Sequence, residues 1–351
     1  MFPLSFPEKV LETSSSRNNE GIVVDPFCGR GTTNFAARLY GYDSFGVDSS
    51  IVATAIAESK LVNVSPEEII ATAKDIINSN EPTEIPESDF WEMLYSKVVL
   101  RDLCKLREEL IYDCKSNVRK ALRGIIIGAL HGPIPKTKFS YFSNQCPRTY
   151  SPKPDYALRF WKERNYLPPE VDVLSIIEDR AKRFFSPSLP NTSNTIVTGD
   201  SRKKETFLPL RGKHIKWIIT SPPYFGMRTY VQDQWIRYWF LGGPSLINYN
   251  IVGQLGSGSK NTFISDLNTV WKNLSEISDS ETTMVIRYGA INSKRIESLQ
   301  AVEESIENSG WKTIRVKSAG SSDDGKRQAT TFLKRRSHAI DEYDIWAVYS
   351  T

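Results

Sequence analysis

The sequence is poor in residues that build metal sites, disulfide frameworks and membrane spans. Its 351 residues include four cysteines and three histidines, and no two cysteines stand at CxxC spacing. Zinc sites and redox-active dithiols depend on such pairs. We therefore predict no metal site, and reduced thiols in a cytoplasmic compartment. A run of about 18 apolar residues and the apolar stretch of a secretion signal are both missing, so we expect no membrane association.

A strong charge of one sign is also missing from the chain as a whole. Its 45 Lys and Arg against 41 Asp and Glu give a formal net charge of +4, which is too small to indicate a charged partner. The charge is nevertheless unevenly distributed. Residues 51–96 carry two basic and nine acidic side chains, whereas residues 97–164 carry fifteen basic and six acidic ones. This contrast predicts a separate structural unit with an electropositive face, and a solvated helix surface is the alternative.

Short apolar runs near the two ends of the chain predict the strands of a buried sheet. The runs are residues 21–25, 43–48, 195–198, 217–220, 283–287 and 344–349. Residues 319–328, with the sequence AGSSDDGKRQ, predict an exposed loop instead. The strands alternate with helical segments at both ends of the chain, which predicts an α/β fold with a parallel or mixed sheet.

Helical periodicity dominates the middle of the chain. Residues 32–40 predict a first helix, closed by Gly41. Residues 51–132 then have a mostly helical pattern, interrupted by a Pro- and Glu-rich loop around residues 80–88. Further on, Trp235 and Trp239 stand four residues apart. This spacing favours the buried face of a helix over a base-stacking platform.

The first candidate site is the sequence DPFCGRGTT, which begins with Asp25 at the end of the first predicted strand. Gly29 and Gly31 permit a tight turn in which backbone N–H groups can approach a ligand. The sequence has neither the GxGxxG pattern nor the lysine of a phosphate-binding loop, and its opening acidic residue favours a cationic ligand such as an amino group. Asp48 ends the next predicted strand, where a carboxylate can accept hydrogen bonds from ribose hydroxyls. A turn that only packs a strand against a helix is the alternative.

The second candidate site is TSPPY, which begins at Thr220 after an apolar predicted strand. Two consecutive prolines remove two N–H donors and stiffen the backbone, while their carbonyl oxygens can still accept hydrogen bonds. A planar base with an exocyclic amine fits such a segment. The amine can donate to a proline carbonyl and to Ser221, while Tyr224 stacks on the ring. A proline-stiffened turn with a packing tyrosine is the alternative.

Together, DPFCGRGTT and TSPPY resemble the motifs of the S-adenosylmethionine-dependent DNA amino-methyltransferases, which methylate cytosine N4 or adenine N6. The resemblance implies a Rossmann-like class I methyltransferase sheet, here with a large and mainly helical insertion. Phe6-Pro7 is similar to the family's motif beside the cofactor methionine, and Gly199–Arg202 (GDSR) to the motif beside the cofactor adenine. The residues it assigns to the cofactor are Phe6, Pro7, Asp25, Phe27, Gly29, Gly31, Thr32, Thr33, Asp48, Asp200 and Ser201. Those it assigns to catalysis are Ser221, Pro222, Pro223 and Tyr224.

The middle of the chain departs from the usual family pattern. The resemblance predicts a cofactor-binding and catalytic domain from residues 1–50 and 196–351, with residues 51–195 as an inserted target-recognition region. In the better-known arrangement the insertion lies just before the catalytic strand. Within the insertion, a loop mixes aromatic residues with groups that contact phosphates and base edges. The candidate DNA-binding residues are Lys136, Lys138, Gln145, Arg148, Tyr150 and Lys153, with a surface crossover as the alternative.

The expected reaction is transfer of a methyl group to the N4 amine of cytosine in double-stranded DNA, because family members with Ser before Pro-Pro are mostly cytosine-N4 enzymes. The target base would have to be flipped out of the helix. Adenine N6 is the first alternative, followed by RNA or a protein side-chain amide, and then by a DNA-binding protein without activity. The family context also implies a prokaryotic or phage-encoded enzyme, with a restriction endonuclease as a partner.

Overall fold

The computed structural model describes residues 2–13, 20–133, 139–143, 151–225, 231–247, 259–289, 295–321 and 341–350. The chain forms two compact units. Unit 1 consists of residues 1–57, 190–229 and 253–351, and unit 2 of residues 58–189 and 230–252. No helix within the described ranges is long and apolar enough to cross a membrane. The same ranges contain no group of three or more His, Cys, Asp or Glu side chains placed to hold a metal ion.

Unit 1 is built on a sheet of seven described strands. They are β1 (Ile22–Asp25), β2 (Asp43–Asp48), β3 (Asn194–Thr198), β4 (Ile215–Thr220), β5 (Thr283–Gly289), β6 (Trp311–Ser321) and β7 (Asp341–Tyr349). Their order in the sheet is β3-β2-β1-β4-β5-β7-β6. The first five strands are parallel, and β7 runs antiparallel to both β5 and β6. The predicted α/β fold with a Rossmann-like, mostly parallel sheet is confirmed.

Twelve α-helices accompany these strands in the described part of the chain. They are α1 (Ser5–Glu12), α2 (Thr32–Leu39), α3 (Ile51–Ser59), α4 (Pro66–Ile77), α5 (Asp89–Leu94), α6 (Lys97–Tyr112), α7 (Asn117–Ala129), α8 (Pro154–Glu163), α9 (Val173–Phe185), α10 (Trp235–Phe240), α11 (Lys260–Ser275) and α12 (Arg295–Ile306). The helix predicted over residues 32–40 ends one residue earlier, and Gly41 follows it with a φ of 76°. Seven helices, α4 to α10, lie in unit 2.

At the inner strands β1, β2, β4 and β5, both faces of the sheet are buried, as parallel strands require. Alternate side chains of these strands therefore enter different cores. Val24 packs in a core with Trp271 of α11 on one face, and Val23 packs with Phe6 of α1 on the other. This two-sided burial explains why the inner strands appear in the sequence as short continuous apolar runs rather than alternating ones.

Unit 2 has an aromatic core of its own. Phe90 lies 5.5 Å from Trp161 and 5.1 Å from Trp235, and Trp91 lies 4.5 Å from Trp239 (ring centroids). Trp235 and Trp239 are 5% and 2% exposed, so their predicted place on the buried face of a helix is confirmed. Because these side chains pack here, residues 230–252 belong to unit 2, whereas the sequence analysis placed them in the catalytic domain.

Opposite charges from the acidic and basic segments meet within unit 2. Five ion pairs among the described residues connect them: Glu58 with Lys120 and Arg123, Glu81 with Arg101 and Lys105, and Asp89 with Lys162. Arg107 instead donates to the backbone carbonyl of Trp239, at 2.8 Å. Because many of the cations are paired in this way, the local net charge of the sequence overstates the positive surface of the unit.

The strand β6 is the main feature of the sheet that the sequence analysis did not predict. It lies at the edge of the sheet, and among the described strands its one partner is β7. Its outward side chains include Ile314, which is 56% exposed, together with lysines and an arginine. Charged residues are common on edge strands, where they discourage further pairing. The loop predicted over residues 319–328 is wrong for residues 319–321, which end this strand, and the rest lies outside the described residues.

Candidate active site

The predicted site residues of four strands lie at one edge of the sheet. Asp25 and Asp48 are the last residues of β1 and β2, while Asp200 and Ser221 come shortly after β3 and β4. These strands are parallel neighbours, so their carboxyl ends share an edge. Open α/β sheets bind their ligands beyond this edge. The fold therefore brings together residues that stand up to 196 positions apart in the sequence.

The turn after β1 is fastened to its neighbours by backbone hydrogen bonds. The amide of Cys28 donates to the carbonyl of Val47 at 2.8 Å, and the amide of Gly29 donates to Asp48 Oδ2 at 3.0 Å. In the segment that follows β3, the buried Ser201 hydroxyl donates to the carbonyl of Pro26 at 2.6 Å. The turn is thus held in one conformation by β2, which lies beside β1, and by the segment after β3.

Two glycines of this turn have different surroundings. Both have positive φ values, 51° at Gly29 and 71° at Gly31. A Cβ atom at Gly31 would lie 2.8 Å from the Cβ of Ala57 in α3, whereas a Cβ at Gly29 would meet no described atom within 4 Å. Gly31 therefore permits close packing of the turn on α3, while Gly29 leaves open space beside it that a ligand can occupy.

This difference gives a testable expectation. Gly29→Ala should lower the free energy of unfolding by about 1 kcal/mol through the left-handed backbone alone. Gly31→Ala should lower it by about 1–3 kcal/mol more, because the added methyl group overpacks against α3. Urea denaturation of the two variants measures the difference. Equal losses of stability would contradict the assignment of Gly31 to packing and Gly29 to ligand space.

Asp25 is the most unusual ionisable group of the site. It is fully buried, and its Oδ1 accepts hydrogen bonds from Thr220 Oγ1 at 2.6 Å and from the Phe27 amide at 3.0 Å. Burial raises the pKa of this carboxyl from 3.8 to about 6. Its Oδ2 has no hydrogen-bond partner among the described residues. An unpaired buried carboxylate oxygen is costly, and a cationic ligand group would satisfy it.

Asp48 and Asp200 have contrasting environments. Asp48 accepts backbone hydrogen bonds from Gly29 and Ser50, and burial raises the pKa of its carboxyl. Asp200 forms an ion pair with Arg202, with 2.7 Å between its Oδ2 and the guanidinium Nη2, and this hydrogen bonding lowers its pKa. Arg202 also reaches Asp266 of α11 at 3.2 Å. The arginine thereby fixes the Asp200 carboxylate, a role that the sequence analysis did not assign.

The remaining residues assigned to the cofactor differ in accessibility. Thr33 is fully buried, and its hydroxyl donates to the carbonyl of Ile219 at 3.2 Å. Thr32 and Phe27 are partly exposed, and Phe27 packs edge-on against Trp271, with ring centroids 6.1 Å apart. Their contact with a cofactor stays a prediction.

Phe6 and Pro7 are buried in α1. The guanidinium of Arg287 lies 3.9 Å from the centre of the Phe6 ring and forms a bidentate ion pair with Asp344. This arrangement connects α1 to β5 and β7. In the structure, the Phe6 side chain thus serves packing, and its predicted place beside the cofactor stays a prediction.

The segment SPPY follows β4 directly. Side chains of β5, the next strand in the sheet, and of β7 beyond it contact this segment. Tyr224 donates its hydroxyl hydrogen bond to Glu342 Oε1 of β7 at 3.1 Å, and its ring lies 5.1 Å from that of Tyr288 of β5. The amide of Phe225 donates to the Tyr288 hydroxyl at 2.8 Å. Ser221 and Pro223 are partly exposed, and Pro222 is buried. Sequence analysis missed Glu342 and Tyr288, because neither belongs to a recognisable motif.

The predicted DNA-binding loop lies largely outside the described residues. This applies to Lys136, Lys138, Gln145, Arg148 and Tyr150, whereas Lys153 is described and exposed at the start of α8. On either side of the gap at residues 144–150, Ser143 and Ser151 are buried. The Gly132 amide donates to the carbonyl of Ser143 at 2.9 Å, and Ser151 Oγ lies 3.3 Å from His131 Nε2. Both described ends are therefore anchored to the residues that follow α7.

Comparison with known proteins gives one family match. Residues 1–59 match a family model described as DNA methylase. This range contains α1, the turn after β1, and Asp48. No curated protein sequence matches the chain. The match supports a methyltransferase, and it covers the part of the sequence in which Asp25, Gly29 and Gly31 lie.

Alignment with solved structures finds methyltransferases at low similarity. Magnesium protoporphyrin IX methyltransferase (ChlM) from Synechocystis PCC 6803, solved with bound SAM, is 8% identical with a TM-score of 0.36 and covers 99% of this chain and 79% of its own. The rRNA methyltransferase aviRa from Streptomyces viridochromogenes is 11% identical with a TM-score of 0.36, and the alignment covers 99% of this chain and 85% of aviRa. A SAM-dependent methyltransferase from Methanosarcina mazei is 7% identical with a TM-score of 0.36 and covers 100% and 98%. At these values, the fold assignment depends on the strand order of the chain itself.

Proposed function

We propose that the chain is an S-adenosylmethionine-dependent DNA methyltransferase that methylates the N4 amine of cytosine. The observation that carries this proposal is the direct link between the two motifs. Thr220, which opens TSPPY, donates a 2.6 Å hydrogen bond to Asp25, which opens DPFCGRGTT. A group that binds a cationic ligand thus lies beside a segment suited to an exocyclic amine, at the ends of neighbouring strands.

The residues after β1, β2 and β3 fit S-adenosylmethionine. The unpaired Oδ2 of Asp25 would accept a hydrogen bond from the ammonium group of its methionine moiety. The free space at Gly29 admits the ligand to the turn. Asp48 would accept from the ribose hydroxyls, and Asp200, held by Arg202, from the adenine amine. When bound, the cofactor supplies an activated methyl group.

The SPPY segment would then orient the target amine. The Ser221 hydroxyl and the Pro222 carbonyl would accept hydrogen bonds from the two amine hydrogens, which directs the nitrogen lone pair away from the ring system. Tyr224 would stack on the base. The amine nitrogen would form its bond to the methyl carbon while the bond between that carbon and the cofactor sulfur breaks, so no side chain is needed as a nucleophile. The electron pair of the broken bond would stay on sulfur, which leaves S-adenosylhomocysteine, and the methylated amine would release one proton to solvent.

DNA and cytosine are supported by separate observations. The match of residues 1–59 with a DNA methylase model supports DNA. Serine before Pro-Pro supports cytosine through the resemblance to the amino-methyltransferases. The test is methylation-aware sequencing of DNA from cells that express the chain, with cells that express the slower Ser221→Ala variant as the comparison. N4-methylcytosine at one recurrent sequence supports the proposal, and unmodified DNA with methylated RNA or protein would overturn it. A restriction endonuclease that cuts the same sequence is the proposed partner.

The proposed DNA contacts of unit 2 can be tested at Lys153 and Arg148. Replacing both by Gln should weaken DNA binding and reduce the slope of log affinity against log salt by about one unit for each lost phosphate contact. Titration of labelled DNA at several salt concentrations measures the slope. Lys213→Gln is the matched control, since Lys213 is exposed and precedes β4 at the opposite edge of the sheet. A double variant that behaves like this control would show that the loop is only a connection.

A further inference from the structure

We propose that Glu342 is a positioning residue, which holds the Tyr224 ring in the orientation that the target base requires. This inference rests on the proposed function, because it deepens the role given to the SPPY segment. Glu342 is 4% exposed on β7, 118 positions from Tyr224 in the sequence. It belongs to neither of the two motifs.

The contact has the geometry of a specific hydrogen bond. The Tyr224 hydroxyl oxygen is 3.1 Å from Glu342 Oε1. Glu342 is paired across the β5–β7 ladder with Gly289, a residue without a side chain, and the next pair is Tyr288 with Tyr343. Tyr288 contacts the edge of the Tyr224 ring at 5.1 Å and 70° between the ring planes. The far end and one side of the phenol are thereby fixed by two different strands.

Such a restraint matters for a ring that is to stack on a base. A tyrosine ring turns about two side-chain bonds, and its hydroxyl is the atom farthest from the backbone. A hydrogen bond at this atom therefore restricts both rotations together. Donation to a carboxylate is also stronger than donation to a neutral acceptor. Misplacement of a reacting group by about 1 Å can cost about 100-fold in rate.

The first experiment reports on the ring without any need for activity. 3-Fluorotyrosine is placed at position 224 of the full chain, and its fluorine resonance is recorded at neutral pH. Glu342→Ala should shift or broaden the resonance, whereas Glu342→Gln, which keeps an acceptor oxygen, should largely preserve it. Glu12→Ala should leave it unchanged, because Glu12 accepts a similar hydrogen bond from Tyr40 on the surface. A resonance unaltered by Glu342→Ala would overturn the inference.

The second experiment measures turnover on DNA. Glu342→Ala and Tyr224→Phe should each lower kcat by about 10- to 100-fold with unchanged affinity for S-adenosylmethionine. Both substitutions remove the same hydrogen bond, so kcat of the double variant should be no lower than kcat of the less active single variant. Tyr40→Phe, which removes the matched surface contact, should keep normal kcat. Additive losses, or Glu342→Gln as inactive as Glu342→Ala, would contradict the positioning role.

The two experiments separate this inference from the proposed function. If the native chain methylated no DNA, the proposed function would be wrong, and the fluorine spectra would still decide whether Glu342 orders Tyr224. If the native chain were active and Glu342→Ala kept full kcat, only the positioning role would be overturned. If Glu342→Ala did not fold, Tyr224→Phe would provide the same kinetic comparison, since it removes the hydrogen bond from the other side.

Discussion

At pH 7, Asp25→Asn is expected to weaken S-adenosylmethionine binding by about 100- to 1,000-fold, because it removes one partner of a buried ion pair. The unpaired Oδ2 of Asp25 is the group proposed to receive the cofactor ammonium. Calorimetric titration with the cofactor measures the change. Asp43→Asn is the control, since Asp43 is a carboxylate at the opposite end of β2 and accepts a hydrogen bond from the Ser193 amide. Similar affinities of the two variants would show that Asp25 does not bind the cofactor.

The same variant should change how stability depends on pH. Burial raises the pKa of Asp25 from 3.8 to about 6 in the folded chain. Between about pH 4 and 6 the folded state therefore binds a proton that the unfolded state has released, so the free energy of unfolding falls as the pH rises. The stabilising contribution of Asp25 protonation to the free energy of unfolding is fully present below about pH 4 and is lost above about pH 6. Cofactor affinity should change in the opposite direction, because the ionised carboxylate is the form that pairs with an ammonium.

Urea denaturation of the native chain and of Asp25→Asn from pH 4 to pH 7 tests this sign. The native chain should lose stability relative to the variant across this window, and the variant should be at least as stable at pH 7. Burial also raises the pKa of Asp48, so Asp48 contributes to the pH dependence of both proteins, and the difference between them contains Asp25 together with its electrostatic coupling to Asp48. A native chain that gains stability relative to Asp25→Asn as the pH rises would contradict the assigned burial of a carboxylate with one unpaired oxygen.

Ser221→Ala is expected to lower kcat for DNA methylation by about 100-fold, the usual cost of removing one group that stabilises a transition state. Its affinity for S-adenosylmethionine should be unchanged, because Asp25, Asp48 and Asp200 remain in place. Transfer of a labelled methyl group to DNA measures kcat, and calorimetry measures the affinity. Ser193→Ala, at an exposed serine before β3, is the matched control. A loss of cofactor affinity equal to the loss of kcat would place Ser221 in the cofactor site instead.

Digestion of the modified DNA to nucleosides identifies the base. N4-methylcytosine is the expected product, and its amount should fall with the Ser221→Ala variant. N6-methyladenine without N4-methylcytosine would show that the chain is a DNA methyltransferase with adenine, and not cytosine, as its target base. The physical argument accommodates both bases, since each presents an amine beside a ring nitrogen, and the preference for cytosine depends on Ser221 through the family resemblance.

The strands of the inner sheet could be predicted well from the sequence. The strand predicted over residues 43–48 has those bounds, and the one predicted over residues 217–220 begins two residues earlier. A strand that is buried on both faces appears in the sequence as a continuous apolar run, so it can be predicted without knowledge of its partners in the sheet. The last strand was predicted from residue 344 but begins at Asp341. The residues before Asp344 do not continue the apolar run of the sequence, whereas in the folded chain they pair with β5 and β6, and Glu342 accepts a hydrogen bond from Tyr224.

The charge of the middle segments shows a second limit of sequence analysis. Counting along the chain separates an acidic segment from a basic one, and the structure brings Glu58 against Arg123 and Glu81 against Lys105. An ion pair joins residues that are close in space, whereas a count along the sequence averages over neighbours in the chain. Which of these charges are paired therefore depends on the fold and not on the count along the sequence.

By itself, the sequence determined which residues lie at the ends of the predicted strands. Asp25, Asp48 and Asp200 stand at the carboxyl ends of predicted strands, and these ends share one edge in any parallel sheet. Only the tertiary structure decided that Asp25 is buried with one unpaired oxygen beside Thr220, 195 positions away, and that Glu342 holds Tyr224. Local sequence patterns determine backbone conformation. The burial of a carboxylate and its hydrogen-bond partners depend instead on side chains from distant parts of the sequence that pack around it.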